Sequence, residues 1–386
     1  MSKELSAVLL CHRNYFDKKL NYRDGGSDDL LSIFSRKYLF NFSHDEYTSI
    51  NESIISITKK NNNKLQIVKV FKKQKLNFLI FNIYKFLYLL KYLKKLKTNF
   101  VISADSYLCF LSIFLNFFSF EKKKIIFHIT DLSDKRFKNY ILKNIYNFFF
   151  KISCSYSDYI SCPSKKILKK IGYKKKSFFI PNSPLKIRKK INTKKKNNAI
   201  ISLVNIDEGT DWDLIYNSLK LVVLDKPNFK LYVTGNIKTR YSKKILQKFN
   251  KNNLKKNISF VGYLSKNKLY KLYDKCKFGL TAYKSTKKHT YWHYGDSIKI
   301  REYAESGLII LTEGLYYNSL EVKKLKLGKI YKNYKQLAKY FAYFNKFSYT
   351  SKDYIQRSRK WAIKNRKEFF LKKFKYKINQ DFVVKI

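Results

Sequence analysis

Tyr294-Gly-Asp-Ser-Ile-Lys-Ile-Arg-Glu-Tyr-Ala-Glu-Ser-Gly-Leu-Ile-Ile-Leu-Thr312 reads as a helix that delivers the chain into a buried strand. Asp296 or Ser297 is expected to cap a helix running to about Ser306, and Gly307 supplies its left-handed stop. Lys299 and Glu302 are three residues apart and so share one helix face near the N-terminus. Exposed N–H groups and a lysine there form an anion site, and the neighbouring carboxylate can accept hydrogen bonds from a ribose diol. The same spacing also describes a surface ion pair on an ordinary helix, and spacing alone leaves both readings open.

Working outward, this helix-to-strand unit is one of a series. Apolar runs at Ala199 to Val204, Lys230 to Thr234, Ile258 to Val261, Phe278 to Thr281 and Leu308 to Thr312 alternate with segments of helical periodicity. An earlier series, Ala7 to Leu10, Leu65 to Val70, Phe100 to Ser103, Lys124 to His128, Tyr159 to Cys162 and Phe178 to Ile180, does the same. Between them, Pro181-Asn182-Ser183-Pro184 stops the pattern and a lysine- and asparagine-rich stretch follows. Alternation of this kind predicts parallel sheets covered by helices on both faces. The expected architecture is α/β, with one doubly wound domain over 1–184, a linker over 185–198 and a second domain over 199–367. Ligands of such sheets sit beyond the carboxyl ends of the strands, so a cleft between the two domains is the expected site.

The 386 residues suffice for two cores, and 45% hydrophobic content with 32 Phe and 32 Tyr excludes widespread disorder. Lys+Arg 82 against Asp+Glu 27 gives a net charge of +55, which suits nucleic acid or an anionic membrane. Lys, Asn, Ile, Phe and Tyr all have A/T-rich codons while Gly and Pro are scarce, so the lysine excess also fits an A/T-rich genome. No nucleic-acid partner is expected, because the basic residues are spread over both halves and form no binding module. Cys11, Cys109, Cys154, Cys162 and Cys276 are scattered and odd in number, which points to a reducing, cytoplasmic setting. Phe100 to Phe120 is long enough to span a bilayer, but it reads better as strand, turn and helix broken at Ala104 to Ser106.

Ile83 to Lys97 reads as a helix with a buried stripe of Ile83, Phe86, Leu87, Leu90 and Leu93. Its other side then carries Lys85, Tyr88, Lys91, Tyr92 and Lys95, a basic and aromatic face suited either to anionic lipid or to plain solvation. Further on, Tyr354 to Phe374 contains neither Pro nor Gly, and Ile355, Ala362 and Phe369 at seven-residue spacing are expected on one face of a single helix.

Ser297-Ile-Lys299-Ile-Arg-Glu302-Tyr303-Ala-Glu305-Ser-Gly307 resembles the donor-binding segment P-x-K-x-x-E-Y-x-A-x-G-x-P-V of GT-B-fold glycosyltransferases of the family 4-like group, also called glycosyltransferase group 1. It matches at the lysine, glutamate, tyrosine and glycine, whereas Ser297 and Ile309 replace prolines and Glu305 replaces an alanine. Asp158 to Ser164, Phe178 to Asn182, Leu231 to Gly235 and Phe260 to Leu264 resemble other stretches of the family, in the family's order. The resemblance implies two Rossmann-like domains facing each other across a cleft, with residues 368–386 returning to the first domain.

It also implies roles. Lys299 would neutralise the diphosphate of a nucleotide sugar and Glu302 would bind its ribose, with Ser297 and Tyr303 in the same donor segment. Gly235 would let backbone approach the nucleotide, and Gly25 and Gly26 would form a glycine loop facing the phosphates. On the acceptor side, Asp131 is the candidate base of an inverting reaction, and in a retaining one His128 would help hold the sugar. His293 and Asp296 could touch the sugar, Asp296 reading more simply as a cap. The acid Glu208 stands where the family usually has a lysine, which leaves the stereochemistry open. A metal-independent enzyme without cofactor is expected, its co-substrate a nucleotide-diphosphate sugar and its acceptor a glycan or lipid-linked glycan of bacterial cell-surface polysaccharide synthesis. Asp211-Trp-Asp213 has the letters of a metal motif but reads as acids in a first helical turn. A peripheral position on the inner face of the cytoplasmic membrane is expected. The alternatives are a non-catalytic scaffold of the same fold and a nucleic-acid-binding protein.

Overall fold

The computed structural model describes residues 4–12, 27–44, 52–61, 64–74, 77–130, 132, 139–185, 187–192, 196–250, 254–284, 293–346 and 348–383. Two units divide the chain, Met1–Ile180 with Phe370–Ile386, and Pro181–Phe369. Gly25, Gly26 and Asp131 lie outside the described residues.

In the first unit the strands are β1 (Ser6–Cys11), β2 (Arg36–Ser43), β3 (Glu52–Asn61), β4 (Lys64–Gln74), β5 (Phe100–Ser103), β6 (Lys124–His128), β7 (Tyr159–Cys162) and β8 (Ser177–Phe179). They form one sheet in the order β4-β3-β2-β1-β5-β6-β7-β8. The six from β2 to β8 through β1 run parallel, five of them (β1 and β5 to β8) at the predicted apolar runs, and β1 is buried along its whole length. The expectation of a purely parallel sheet fails at one edge, where β3 pairs antiparallel with both β2 and β4. β2 and β3 are absent from the sequence reading, because their lysines, serines and asparagines hide the alternation.

Helices α1 (Phe78–Tyr92), α2 (Ser106–Phe117), α3 (Tyr140–Tyr156) and α4 (Lys165–Ile171) connect these strands. Local chemistry sets their ends. The Asp105 carboxylate accepts the Leu108 N–H at the start of α2, and Gly172 closes α4 at φ 80°. Phe100 to Phe120 is therefore β5, a turn and α2, and among the described residues no helix is long and apolar enough to cross a membrane.

The orientation expected for α1 is corrected. Phe81, Lys85, Leu89 and Leu93 are buried, whereas Leu79, Ile80, Ile83, Leu87 and Leu90 are exposed. The hairpin β3–β4 causes this reversal: Phe71 of β4 packs against Tyr84 and Tyr88 at ring distances of 5.1 and 5.3 Å, so the aromatic side of α1 turns inward. Lys91 and Lys95 remain exposed, but Lys85 donates to Asn82 Oδ1 at 2.9 Å with its ammonium over the Phe81 ring.

The second unit holds β9 (Lys196–Asn205), β10 (Leu231–Asn236), β11 (Ile258–Gly262), β12 (Cys276–Leu280), β13 (Ile309–Thr312) and β14 (Gly328–Ile330), all parallel, in the order β11-β10-β9-β12-β13-β14. Strand order reverses between β9 and β12, which is where doubly wound sheets open a crevice at their carboxyl ends. Its helices are α5 (Trp212–Asp225), α6 (Arg240–Asn250), α7 (Lys266–Lys275), α8 (Ile298–Glu305), α9 (Tyr317–Lys324), α10 (Tyr334–Lys346) and α11 (Ser348–Lys364). β9 begins at Lys196, inside the stretch assigned to the linker.

The long C-terminal helix is two helices, α11 and then α12 (Lys367–Val383), interrupted at Asn365 and Arg366. Ile355 and Ala362 are buried in α11 as expected, but Phe369 lies beyond the break and is 40% exposed. From Phe370 onward α12 belongs to the first unit, where the Phe374 ring packs against Phe178 at 4.7 Å and Tyr159 donates to Asp381 at 3.0 Å.

Candidate functional site

The quoted segment forms α8, whose N-terminus lies at the carboxyl end of the second sheet because the helix leads from β12 into β13. Tyr303 fixes it there. Its hydroxyl donates to the Leu280 carbonyl of β12 at 3.0 Å and accepts the Ser202 N–H of β9 at 2.8 Å, spanning the strand reversal. The ring fits because Gly279 lies beneath it, where a Cβ would stand 2.3 Å from Tyr303 Cγ. Tyr303, expected in the donor segment, is fully buried. It positions the helix.

One turn earlier, Lys299 Nζ lies 3.0 Å from Glu302 Oε2, the two side chains being 15% and 14% exposed. Tyr273 of α7 donates to the same Oε2 at 3.1 Å, and burial, reinforced by Glu302, pushes its phenol well above the ordinary value. Glu302 is thus an ionic acceptor held from two sides, at the edge of the interior rather than on a solvated face.

Asp296 is not the helix cap. Ser297 occupies the N-cap position without a side-chain capping bond, and its backbone is held instead by Asn318 of α9 through bonds of 3.1 and 2.9 Å. Both Asp296 carboxylate oxygens accept from Arg301, at 2.6 and 2.9 Å, and Oδ2 also accepts the Asn182 N–H at 3.0 Å. The Arg301 guanidinium lies 4.8 Å from the centre of the Trp361 ring. Arg301 therefore points away from Lys299, as its position two residues along the helix predicts, and its charge is used internally. Glu305, at the family's alanine position, is buried and accepts the Arg188 N–H at 2.8 Å.

Around the strand ends, Gly235 has φ 129°, a conformation few L side chains adopt, at a register shift between β10 and β9. Glu208 is exposed in the turn after β9. Lys284 follows β12, its N–H donating to the Gly209 carbonyl at 2.8 Å and its ammonium 4.0 Å from Asp213. Asp211 caps α5 and Asp213 also pairs with Lys248, so these two acids serve a first helical turn. Among the described residues, no group of His, Cys, Asp and Glu could hold a metal ion. His293 is exposed ahead of α8.

Glu313 adds a carboxyl group that no sequence motif marks. It follows β13 half-buried, with Oε2 accepting from Thr281 at 2.7 Å while, among the described residues, no partner reaches the shielded Oε1. Burial raises its carboxyl to about 7, against the opposing Thr281 hydrogen bond. Nothing in a single Thr-Glu-Gly sequence signals this, since the burial comes from neighbouring strands.

In the first unit His128 ends β6, buried, with Nδ1 2.9 Å from Ser161 Oγ. A second polar group stands at the ends of β1 and β5. His12 Nδ1 is 3.0 Å from the Phe42 carbonyl, which aims Nε2 toward Asp105 Oδ1 at 3.8 Å. Burial works to raise the Asp105 carboxyl, but His12, the Leu108 N–H and Lys85 together hold it below its ordinary value. Burial lowers Lys85 to about 8, with Asp105 opposing. The available signal for this group was Asp105 itself, the one charge in an otherwise apolar stretch.

Residues 185–361 match the model of the family described as Glycosyl transferases group 1. No curated protein matches the chain. Among solved structures, a sucrose-phosphate synthase from Thermosynechococcus elongatus aligns at TM-score 0.70 and 9% identity over 98% of this chain and 100% of that one. WaaG, a glycosyltransferase involved in lipopolysaccharide biosynthesis, aligns at TM-score 0.64 and 12% identity over 96% and 98%. A mutant of S. aureus TarM in complex with fondaparinux, alpha-GlcNAc-glycerol and UDP aligns at 0.56 and 16% identity over 84% of this chain, which spans only 66% of that one. The chain thus has the two Rossmann-like domains of the GT-B fold, and residues 185–361, within its second unit, are similar to the group 1 glycosyltransferase model.

Proposed function

We propose that this GT-B-fold chain, with its similarity to the group 1 model, is a glycosyltransferase that moves a sugar from a nucleoside-diphosphate sugar to a glycan or lipid-linked acceptor. One observation carries the reading: Lys299 and Glu302, buried to about the same degree, meet beside the α8 N-terminus where the strand order reverses. Lys299 and the first-turn N–H groups of α8, beginning beside Ser297, offset the diphosphate charge as it grows on the leaving group. Glu302, kept in place by Tyr273, accepts the ribose hydroxyls, and Gly235 admits the nucleotide close to the backbone. No metal or cofactor is needed for these steps.

On the acceptor side, Asp131 serves as general base if the reaction inverts, and His128 holds the sugar if it retains. The apolar stripe of α1, with exposed Lys91, Lys94 and Lys95 at its end, favours a peripheral place on the anionic inner face of the cytoplasmic membrane. A catalytically silent scaffold of the same fold is the second reading, favoured by exposed Glu208 where the family usually has a lysine. Incubating the full chain with nucleotide sugars and extracted bacterial glycolipids separates the two. Acceptor-dependent release of nucleoside diphosphate is the expected result. Nucleotide binding with no release from any donor would overturn catalysis and leave the scaffold.

A further inference from the structure

A cavity of about 650 Å³ opens in the first unit over the ends of β1, β2 and β5. Its size suits a small ligand or one end of a larger one. Its two ends differ in chemistry. One carries His12, Lys85 and Asp105, ordered by the Phe42 carbonyl, Asn82 and the Leu108 N–H respectively. The other is formed by Leu79 of α1 and by Leu142, Ile145 and Phe149 of α3, of which Leu79 is 73% and Leu142 52% exposed.

Exposed apolar residues continue from that second end along both helices, through Ile83, Leu87 and Leu90 on one and Ile141 and Phe148 on the other. Patches of this kind on a soluble surface mark binding sites. A wholly polar glycan would lay hydroxyls against Leu142 and Ile145, which offer side chains no hydrogen bond, and desolvation of each would go uncompensated. A plain hydrocarbon would leave Lys85 and Asp105 facing it without benefit. A molecule with one hydroxyl-bearing end and one apolar end satisfies both.

We propose that this cavity is the acceptor site and that the acceptor is an amphiphile, its hydroxylated headgroup at His12, Asp105 and Lys85 and its chain against Leu79, Leu142, Ile145 and Phe149. The assignment as acceptor rests on the transferase reading, whereas the amphiphile specificity rests on the cavity alone. Exposed apolar residues then form the route by which the chain arrives from a lipid phase.

The test is calorimetric titration of the full chain with n-dodecyl β-D-maltoside below its micelle concentration, and with maltose as the chainless control. Saturable binding of the first and none of the second is expected. Leu142→Asp and Ile145→Asp, both at exposed positions and checked by unchanged melting, should each weaken binding at least tenfold. Phe117→Asp should leave it unchanged, since Phe117 is 75% exposed at the far end of α2, about 16 Å along the helix from Ser106. Equal binding of maltose, or an equal loss in Phe117→Asp, would overturn the proposal, the latter by showing surface adsorption. Titrating the same samples with UDP keeps the two readings apart. Amphiphile binding without UDP binding would remove the donor reading and leave the cavity's specificity standing; the reverse would remove only the cavity.

Discussion

Helices α8 and α1 are both short amphipathic segments beside a parallel sheet, yet they spend their charges in opposite ways. In α8 the arginine is taken inside by Asp296 and Trp361, while Lys299 and Glu302 remain at the edge. In α1 the lysine that the pattern places outside, Lys85, is buried, while Ile83, Leu87 and Leu90, which it places inside, face solvent. Helical spacing names which residues share a face. Which face turns inward is decided by the element beneath it, and under α1 that element is a hairpin whose composition hides it.

The largest effect that would break this contrast is in α8. Arg301 and Asp296 have side chains 2% and 0% exposed, so Arg301→Met leaves a buried carboxylate without its partner. A loss of about 3–5 kcal/mol is expected by chemical denaturation, with a smaller loss in the double variant Arg301→Met, Asp296→Asn. Equal losses would show that packing of the arginine stem on Trp361, rather than its charge, holds the helix.

A somewhat smaller effect tests the ground beneath the same site. The Glu313 carboxyl is raised to about 7 in the folded chain, so its neutral form is favoured there. Its contribution is full below the unfolded carboxyl value and is lost as pH rises through about 7, a change of about 3 kcal/mol at most. Glu313→Gln should therefore reduce the fall in stability between pH 5 and pH 8 relative to the parent chain. Parallel curves would mean that the carboxylate is charged and paired throughout.

The smallest stability effect belongs to α1. Ile83→Ser and Leu87→Ser should change stability by no more than about 0.5 kcal/mol, because both side chains already face solvent. Cosedimentation with phosphatidylglycerol vesicles should nevertheless fall. A large loss of stability would restore the inward stripe expected from the sequence, and unchanged vesicle binding would remove this face from membrane contact.

Much of the frame was legible because it depends on local runs. β5, β6 and β7 occupy the residues their apolar stretches mark, and β9 to β13 differ from theirs by a few residues, whereas the three-residue β14 has no apolar stretch to mark it. The pairing of Lys299 with Glu302 was legible for the same reason, being three residues apart on one helix. What was illegible depends on distant neighbours. Tyr303 became a strut because Gly279 leaves room under it, and His12 meets Asp105 because β1 and β5 are adjacent in the sheet though far apart in the chain. The break between α11 and α12 at Asn365 carries neither proline nor glycine to announce it.

The central claim is that Lys299 and Glu302 hold a nucleoside diphosphate, and calorimetric titration with UDP tests it most directly. The parent chain should bind saturably. Lys299→Ala and Glu302→Gln should each weaken binding by about 1.5–3 kcal/mol, the worth of a charge-assisted hydrogen bond, or roughly 10- to 150-fold, with melting nearly unchanged. Affinity unaltered in both variants would contradict the account.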